Sequence, residues 1–269
     1  MIKYIFSFAF FQLIYCSIFS QSDIKQSYRH SGVYFQWGYN MEAYTRSDIH
    51  FKMSNGDDFI LHTAKAKNRP DYDAILEKPF EISIPQYNYR LGFYINKDHT
   101  RAFEINFDHI KYIVNDGQHV LVTGKIGGEK IDQVMTIDPI SFLHFEHTDG
   151  GNLLHFNYVR FYSIDPNNEK ARSILKFVWK AGAGINIPRT DFTWKGERLN
   201  NNFHIAGYNF GAEGGARLYP FRKLFLEVTS KAGFVHYLNA LANTKEMKGN
   251  RASHHFGYIE GILTIGYDF

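Results

Sequence analysis

The last twelve residues of the chain, Tyr258–Phe269, read YIEGILTIGYDF and alternate between two kinds of side chain. The positions in phase with the terminal residue are apolar, aromatic or glycine: Ile259, Gly261, Leu263, Ile265, Tyr267 and Phe269. Glu260, Thr264 and Asp268 fall in the other set. A period of two places the two sets on opposite faces of a β-strand. The segment therefore predicts a strand with one face toward hydrocarbon and the other toward polar groups.

The same period of two recurs through the preceding part of the chain. Segments 174–187, 204–218 and 224–234 each alternate a largely apolar row with a row that holds most of the charged residues. Earlier segments predict strands in the same way, at 32–40, 47–53, 58–66, 87–96, 101–108 and 153–162. Together with the C-terminal strand, these segments make ten predicted strands.

Strands of about 9 to 11 residues cross a bilayer only when they close into a barrel, because an open edge would leave backbone groups unpaired in hydrocarbon. The pattern therefore predicts an all-β fold, a transmembrane antiparallel up-and-down β-barrel of about ten strands within a range of roughly eight to twelve. Segments 118–126 and 130–137, around Gly127-Gly128, predict a further hairpin. This hairpin either extends above the membrane or raises the strand count.

Residues 1–20 predict a secretory signal peptide. A basic start, Met1–Lys3, precedes a nearly unbroken apolar run from Tyr4 to Phe19, and Ser20 supplies a small residue for cleavage. The apolar run is short for a membrane-spanning helix, and no later run is longer. We therefore interpret 21–31 as an N-terminal periplasmic segment and 32–269 as the barrel.

The C-terminal pattern resembles that of bacterial outer-membrane β-barrel proteins, whose last strand ends in phenylalanine after alternating apolar and aromatic positions. Ile265, Tyr267 and Phe269 match this pattern. As a pattern, the resemblance covers the signal peptide and most of the mature chain. It implies a location in the outer membrane of a Gram-negative-type bacterium, contact with outer-membrane lipid, and recognition of these residues by the β-barrel assembly machinery.

The lengths of the connections support one orientation of the predicted barrel. If the first strand starts in the periplasm, the short connections 54–57, 97–100, 165–172 and 220–223 are all periplasmic. The long connections 67–86, 109–152, 188–203 and 237–254 are then all extracellular. Short periplasmic turns and long extracellular loops are typical of outer-membrane barrels. The sequence thus predicts a monomer whose outer loops bind a surface ligand that the sequence does not identify.

The polar face of the predicted strands lines a narrow interior. Its charged residues are nearly balanced in sign: Arg90, Glu104, Lys176, Lys180, Glu213, Arg217, Glu227, Lys231 and Glu260. In a barrel of about eight strands, side chains fill the interior. The pattern favours a network of ion pairs in a non-enzymatic barrel that binds at the surface or supports envelope integrity. A porin-like selective pore is an alternative interpretation.

A histidine cluster at the outer ends of the last two strands raises an enzymatic alternative. The candidate residues are His236, Ser253, His254, His255 and Glu260. A His, Ser and carboxylate set can transfer acyl groups, as in outer-membrane lipid A deacylases, whose usual His-any-Ser pairing is missing here. Water-facing rim residues are the preferred interpretation. The sequence therefore predicts no catalytic residue, no metal site and no cofactor.

Composition limits the remaining classes. The single cysteine, Cys16, lies in the predicted signal peptide, which argues against a disulfide framework in the mature chain. Removing Lys3 from 30 Lys and Arg residues leaves 29 against 27 Asp and Glu, a net charge of +2. With no basic block among aromatics, nucleic acid is not a predicted partner.

A soluble secreted β-barrel that binds a small apolar ligand is the second alternative, and it would require charges where the apolar rows lie.

Overall fold

The computed structural model of the chain describes residues 32–71, 86–164 and 174–269, together with Asp73 and Glu77. The predicted signal peptide, the predicted segment 21–31, the connection 165–172 and most of the connection 67–86 lie outside the described residues. Within the described ranges, no helix is long and apolar enough to cross a membrane.

The described residues form seventeen β-strands. In chain order they are β1 (Val33–Tyr44), β2 (Ser47–Lys52), β3 (Asp58–Ala64), β4 (Ala66–Lys67), β5 (Tyr87–Tyr94), β6 (Arg101–Asp108), β7 (Tyr112–Val114), β8 (His119–Ile126), β9 (Glu129–Thr136), β10 (Leu143–His147), β11 (Gly151–Ser163), β12 (Leu175–Pro188), β13 (Asp191–Trp194), β14 (Glu197–Asn200), β15 (Gly207–Leu218), β16 (Leu224–Leu241) and β17 (Arg251–Asp268).

Eight of these strands form a closed wall. The order β1-β5-β6-β11-β12-β15-β16-β17 returns to its start because β17 pairs with β1 as well as with β16. Each pairing is antiparallel. At the closure, Phe35 lies opposite Tyr267 and Trp37 lies opposite Ile265. The predicted antiparallel up-and-down barrel is confirmed.

Side chains of the wall alternate between the two faces as predicted. The outer face exposes large apolar side chains, among them Phe35, Leu91, Phe103, Phe156, Trp179, Phe210, Val228 and Leu263. The inner face buries polar and charged side chains, among them Gln36, Arg90, Glu104, Asn157, Lys180, Glu213, Glu227 and Thr264. An apolar outside and a polar inside are what a bilayer requires of a closed barrel.

The wall has eight strands rather than the ten counted from the sequence, because β2 and β3 lie outside it. β2 continues along β17 where β1 ends, since Tyr44 pairs with Tyr258 and Ile49 pairs with His254. The turn 54–57, which the sequence pattern places in the periplasm, therefore lies at the end of the molecule farthest from the barrel. Both strands bury one face against protein. A period of two does not distinguish that face from one that contacts lipid.

Above the wall, two sheets form a second unit, which we call the cap: β2–β4, β7–β10, β13, β14 and the outer ends of β16 and β17. The wall sheet continues as β16-β17-β2-β3-β8-β9, and a separate sheet has the order β14-β13-β10-β7-β4. β16 and β17 have 18 residues each, well over the number that crosses a bilayer. They carry the sheet from the wall into the cap. The β8–β9 hairpin thus extends above the membrane and adds no strand to the wall.

An apolar core lies between the two cap sheets. The Phe51 ring on β2 stacks on Phe59 of β3 and on Phe192 of β13, with centroid distances of 5.2 and 5.5 Å. It also meets the edge of Phe145 on β10 at 5.3 Å. Because burying a large apolar side chain contributes about 1.5 to 3 kcal/mol, these contacts join the two sheets into one folded unit.

Most of the cap strands come from the predicted outer connections, as far as the structure describes them. β7–β10 lie within 109–152, and β13 and β14 lie within 188–203, whereas β2 and β3 come from the segments 47–53 and 58–66, which were predicted as wall strands. Half of the connection 237–254 is strand, because β16 runs to Leu241 and β17 begins at Arg251. The described parts of the long connections are therefore folded structure on one side of the wall.

Candidate functional site

The interior of the wall holds a dense network of ion pairs. Arg90 on β5 donates from Nη1 to Glu213 Oε1 on β15 at 2.6 Å. Glu227 on β16 accepts from two cations, Lys180 Nζ on β12 at 2.7 Å and Arg217 Nε on β15 at 2.7 Å. These strands place the charges inside because each charge is in phase with the polar row of its strand.

Hydrogen bonds extend this network to β1 and β6. Glu104 on β6 lies 3.2 Å from Lys180 Nζ and accepts a 2.7 Å hydrogen bond from the Tyr34 hydroxyl. Gln36 also donates to Glu104, at 3.1 Å, and accepts from Thr264 at 2.8 Å. The contacts of Glu104 cross the interior and connect β6 to β1 and to β12, which are not its neighbours in the wall.

Asp108 is a member of the network that the sequence analysis missed. Its carboxylate accepts from Lys231 Nζ at 2.7 Å and lies 3.7 Å from Arg90 Nη2. The sequence pattern does place Asp108 on the inner face, because it alternates in the same row as Glu104 and Asn106 on β6. Asp108 is the last residue of the predicted strand 101–108.

Two predicted lumen residues lie at the margins of the network. Glu260 is fully buried, with Oε2 3.9 Å from Lys231 Nζ, and its cross-strand neighbour on β1 is Glu42. Lys176 is half-buried near the end of the wall opposite the cap, where its ammonium lies 5.2 Å from the centre of the Tyr219 ring. The other predicted members, Arg90, Glu104, Lys180, Glu213, Arg217, Glu227 and Lys231, are buried in the interior.

An aromatic plug closes the end of the interior opposite the cap. It is formed by buried side chains of five wall strands, Tyr34, Ala102, Val159, Phe161, Val178 and Phe225, together with Tyr219 just after β15. The Arg217 guanidinium lies over three rings of this plug, at 3.8 Å from Phe225, 4.4 Å from Tyr34 and 4.5 Å from Phe161. Cation–π contacts at such distances favour a fixed position for the charge.

The cap core closes the outer end. Tyr112 on β7 stacks on Phe256 of β17 at 4.5 Å, and Tyr237 of β16 stacks on His254 at 4.9 Å. Between the plug and the cap core, the charged side chains have 6% exposure or less, including Glu42 at 6% and Arg90 at 0%. The described residues therefore enclose the ionic network, and they outline no open channel.

The candidate catalytic residues fall on opposite faces of the sheet. His236 lies opposite His255 with ring centroids 5.6 Å apart, and both rings point outward, as does Ser253. His254 and Glu260 are buried on the inner face. A period of two separates Ser253 from His254 already in the sequence, so the five residues do not converge on one reacting centre.

His254 belongs to the cap core, where it pairs with another buried histidine. Its Nε2 lies 3.2 Å from Nε2 of His147, and the Thr190 hydroxyl lies 3.1 Å from Nδ1 of His147. Burial lowers the pKa of both rings, that of His147 to about 3. Both rings are therefore neutral at physiological pH and act as packing and hydrogen-bonding groups.

His144 forms a charged bridge on the outer face of the second cap sheet. Nδ1 lies 2.8 Å from Asp116 and Nε2 lies 3.2 Å from Glu146. Burial lowers the pKa of His144, but the hydrogen bonds and charges of Glu146 and Asp116 outweigh burial and raise it to about 9. The bridge is therefore ionic at neutral pH and ties the turn before β8 to β10.

Among the described residues, no group of three or more His, Cys, Asp or Glu side chains is arranged to hold a metal ion.

Comparisons with known proteins find structural likeness without detectable family membership. No family model matches the chain, and no curated protein matches it. Among solved structures, Neisserial surface protein A is 10% identical over 90% of this chain and 100% of its own, with a TM-score of 0.38. The outer membrane protein OprG from Pseudomonas aeruginosa is 8% identical over 89% of this chain and 97% of its own, with a TM-score of 0.44. The outer membrane protease OmpT from Escherichia coli is 6% identical over 92% of this chain and 100% of its own, with a TM-score of 0.39.

The class of the protein follows from the closure and the two faces of its wall. A closed antiparallel wall leaves no unpaired edge in hydrocarbon, and its apolar outside surrounds a charged interior. The chain therefore has the fold of a transmembrane antiparallel β-barrel.

The network yields a matched pair of substitutions on adjacent residues of β16. Glu227→Ala leaves Lys180 and Arg217 buried without their shared acceptor, and breaking a buried ion pair costs about 3 to 5 kcal/mol. Leu226→Ala only trims a side chain on the lipid face. We expect Glu227→Ala to lower the midpoint of urea unfolding in detergent more than Leu226→Ala does. The reverse order would mean that the inner and outer faces of β16 are inverted.

Proposed function

We propose that this protein is a non-enzymatic surface protein, in which the barrel anchors the cap and the cap binds a partner outside the cell. The observation that carries the proposal is the apolar core shared by the two cap sheets. Long connections that fold around a core present a fixed surface, and ordering that surface in advance lowers the entropic cost of binding. A role in envelope integrity through contact with outer-membrane lipid is compatible with the same anchor.

The enclosed interior supports a barrel that does not conduct. A porin-like pore needs a water-filled path, whereas the plug and the cap core lie at the two ends of the ionic network. The lipid-modifying alternative would need His236, Ser253 and Glu260 at one reacting centre, and these residues lie on different faces of the sheet. The soluble alternative would place Phe156, Trp179 and Leu263 in water, because each is exposed on the outside of the wall.

Conductance and surface binding test the proposal together. In planar bilayers, we expect the purified protein to give no channel currents above those of protein-free membranes, with a general porin as the positive control. Nanodiscs that carry the protein are then tested against heparin, collagen and liposomes that carry the same protein. We expect saturable binding to at least one of these probes. Steady ion currents, or no binding to any probe, would contradict the proposed function.

We also propose that the C-terminal strand is the signal for assembly. Ile265, Tyr267 and Phe269 point outward with 45%, 41% and 50% exposure. The Phe269 amide donates to the Val33 carbonyl at 3.0 Å, which places the end of the chain at the closure of the wall. Before the wall closes, this outward face is free for the assembly machinery to bind.

Deleting Phe269 should separate assembly from stability. In the folded barrel its ring is one interfacial aromatic among many, so a truncated protein refolded in detergent should unfold at nearly the same urea concentration as the full chain. In cells, we expect the amount of folded protein in outer-membrane fractions to fall several-fold. A truncated chain that reaches the outer membrane at the normal level would contradict the proposed role of the C-terminal strand in assembly.

A further inference from the structure

Strand β9 is an open edge of the cap. It pairs with β8 on one side and ends the order of the wall sheet, so among the described strands its other side has no neighbour. Its residues are mostly exposed, with Val134 at 66%. An edge of this kind is a template for another strand.

The β8–β9 turn determines which backbone groups face the open edge. Gly127 and Gly128 both have positive φ, 62° and 88°, as a two-residue type I′ turn requires. Ile126 and Glu129 flank this turn as a direct pair, and such a closing pair is hydrogen-bonded. Because hydrogen-bonding direction alternates along a strand, the N–H and C=O groups of Lys130, Asp132 and Val134 point away from β8.

We propose that β9 pairs antiparallel with β9 of a second copy that sits in a facing membrane. The proposal deepens the surface-binding role and rests on it. In the register centred on Ile131, Lys130 of one copy lies opposite Asp132 of the other, and the reciprocal pair repeats the contact. Each of these pairs exchanges two backbone hydrogen bonds, and directly opposite residues share one face, so the opposite charges meet.

Charge complementarity selects this register. Centring the contact on Lys130 or Asp132 would place like charges opposite each other, which is unfavourable. Centring it on Gln133 would place Lys130 opposite Thr136 and Asp132 opposite Val134, with no ion pair. Charges on an edge strand deter strand addition by unrelated chains, and here the same charges are complementary to their own sequence.

The direction of β9 places the second copy in another membrane. The β8–β9 turn lies beside the β2–β3 turn, since the Gly127 amide donates to Asp57 Oδ1 at 2.6 Å, so Glu129 is the end of β9 farthest from the barrel. Two copies in one membrane have the same orientation, and their β9 strands run in the same direction. Antiparallel pairing therefore requires barrels that face each other, as in two apposed cells.

Charge-reversal variants of β9, reconstituted in two liposome populations, test the proposal. The two populations carry donor and acceptor lipid dyes, and energy transfer between them reports docking. We expect wild-type protein to dock its liposomes above the protein-free level, and Lys130→Glu or Asp132→Lys alone to reduce docking several-fold, because each variant places like charges opposite each other. Liposomes with Lys130→Glu mixed with liposomes with Asp132→Lys should regain docking, because the mixed contact restores both ion pairs.

Two further variants provide the controls. Lys245→Glu changes an exposed charge that is distant from β9 in sequence and should dock like the wild type. Asp132→Pro removes an N–H that faces the open edge and keeps the β8–β9 ladder, so it should abolish docking even if the charge variants fold poorly. Absence of wild-type docking, normal docking by folded Lys130→Glu, or no recovery in the mixture would overturn β9 pairing. Binding to heparin or collagen without docking would overturn the pairing and leave the proposed function standing.

Discussion

Strand β17 joins the two parts of this protein. It pairs with β16 along its length and divides its other edge between β1 in the wall and β2 in the cap. The pairing with β1 closes the wall, which is the condition for a sheet to exist in hydrocarbon. The pairing with β2 carries the sheet out of the membrane. The position of the cap therefore depends on the same strand that closes the barrel.

The side chains on the inner face of β17 change from polar in the wall to apolar in the cap. Near the cap it contributes His254 and Phe256 to an apolar core, and further down it contributes Glu260 and Thr264 to the polar interior. An apolar interior is possible in the cap because its outer face contacts water, whereas the outer face of the wall contacts lipid. In the wall the buried charges are compensated by one another, as Glu227 is by Lys180 and Arg217, because an unpaired buried charge is costly.

Much of the fold is readable from a period of two, and the faces of Arg90, Glu213 and Glu227 follow from it directly. The period indicates that one face of a strand contacts either protein or lipid, but it does not distinguish between these two environments. For that reason β2 and β3, which cover Phe51 and Phe59 with protein, have the pattern of wall strands. The pairing of β2 with β17 depends on a register between segments about two hundred residues apart, and no local pattern specifies such a contact. The inward position of Asp108 and the separation of Ser253 from His254 could have been predicted, because both follow from the alternation of faces along a strand.

The most direct test of the two-part architecture is the side of the membrane on which the β2–β3 turn lies. The only native cysteine is Cys16 in the predicted signal peptide, so single cysteines can be introduced at Ser54 in this turn and at Asp98 in the connection between β5 and β6, both of which are exposed. With a membrane-impermeant maleimide, the eight-stranded wall and its cap predict labelling of Ser54→Cys in intact cells and labelling of Asp98→Cys only after the outer membrane is permeabilised. Labelling of Ser54→Cys only after permeabilisation would place the turn in the periplasm and contradict the account.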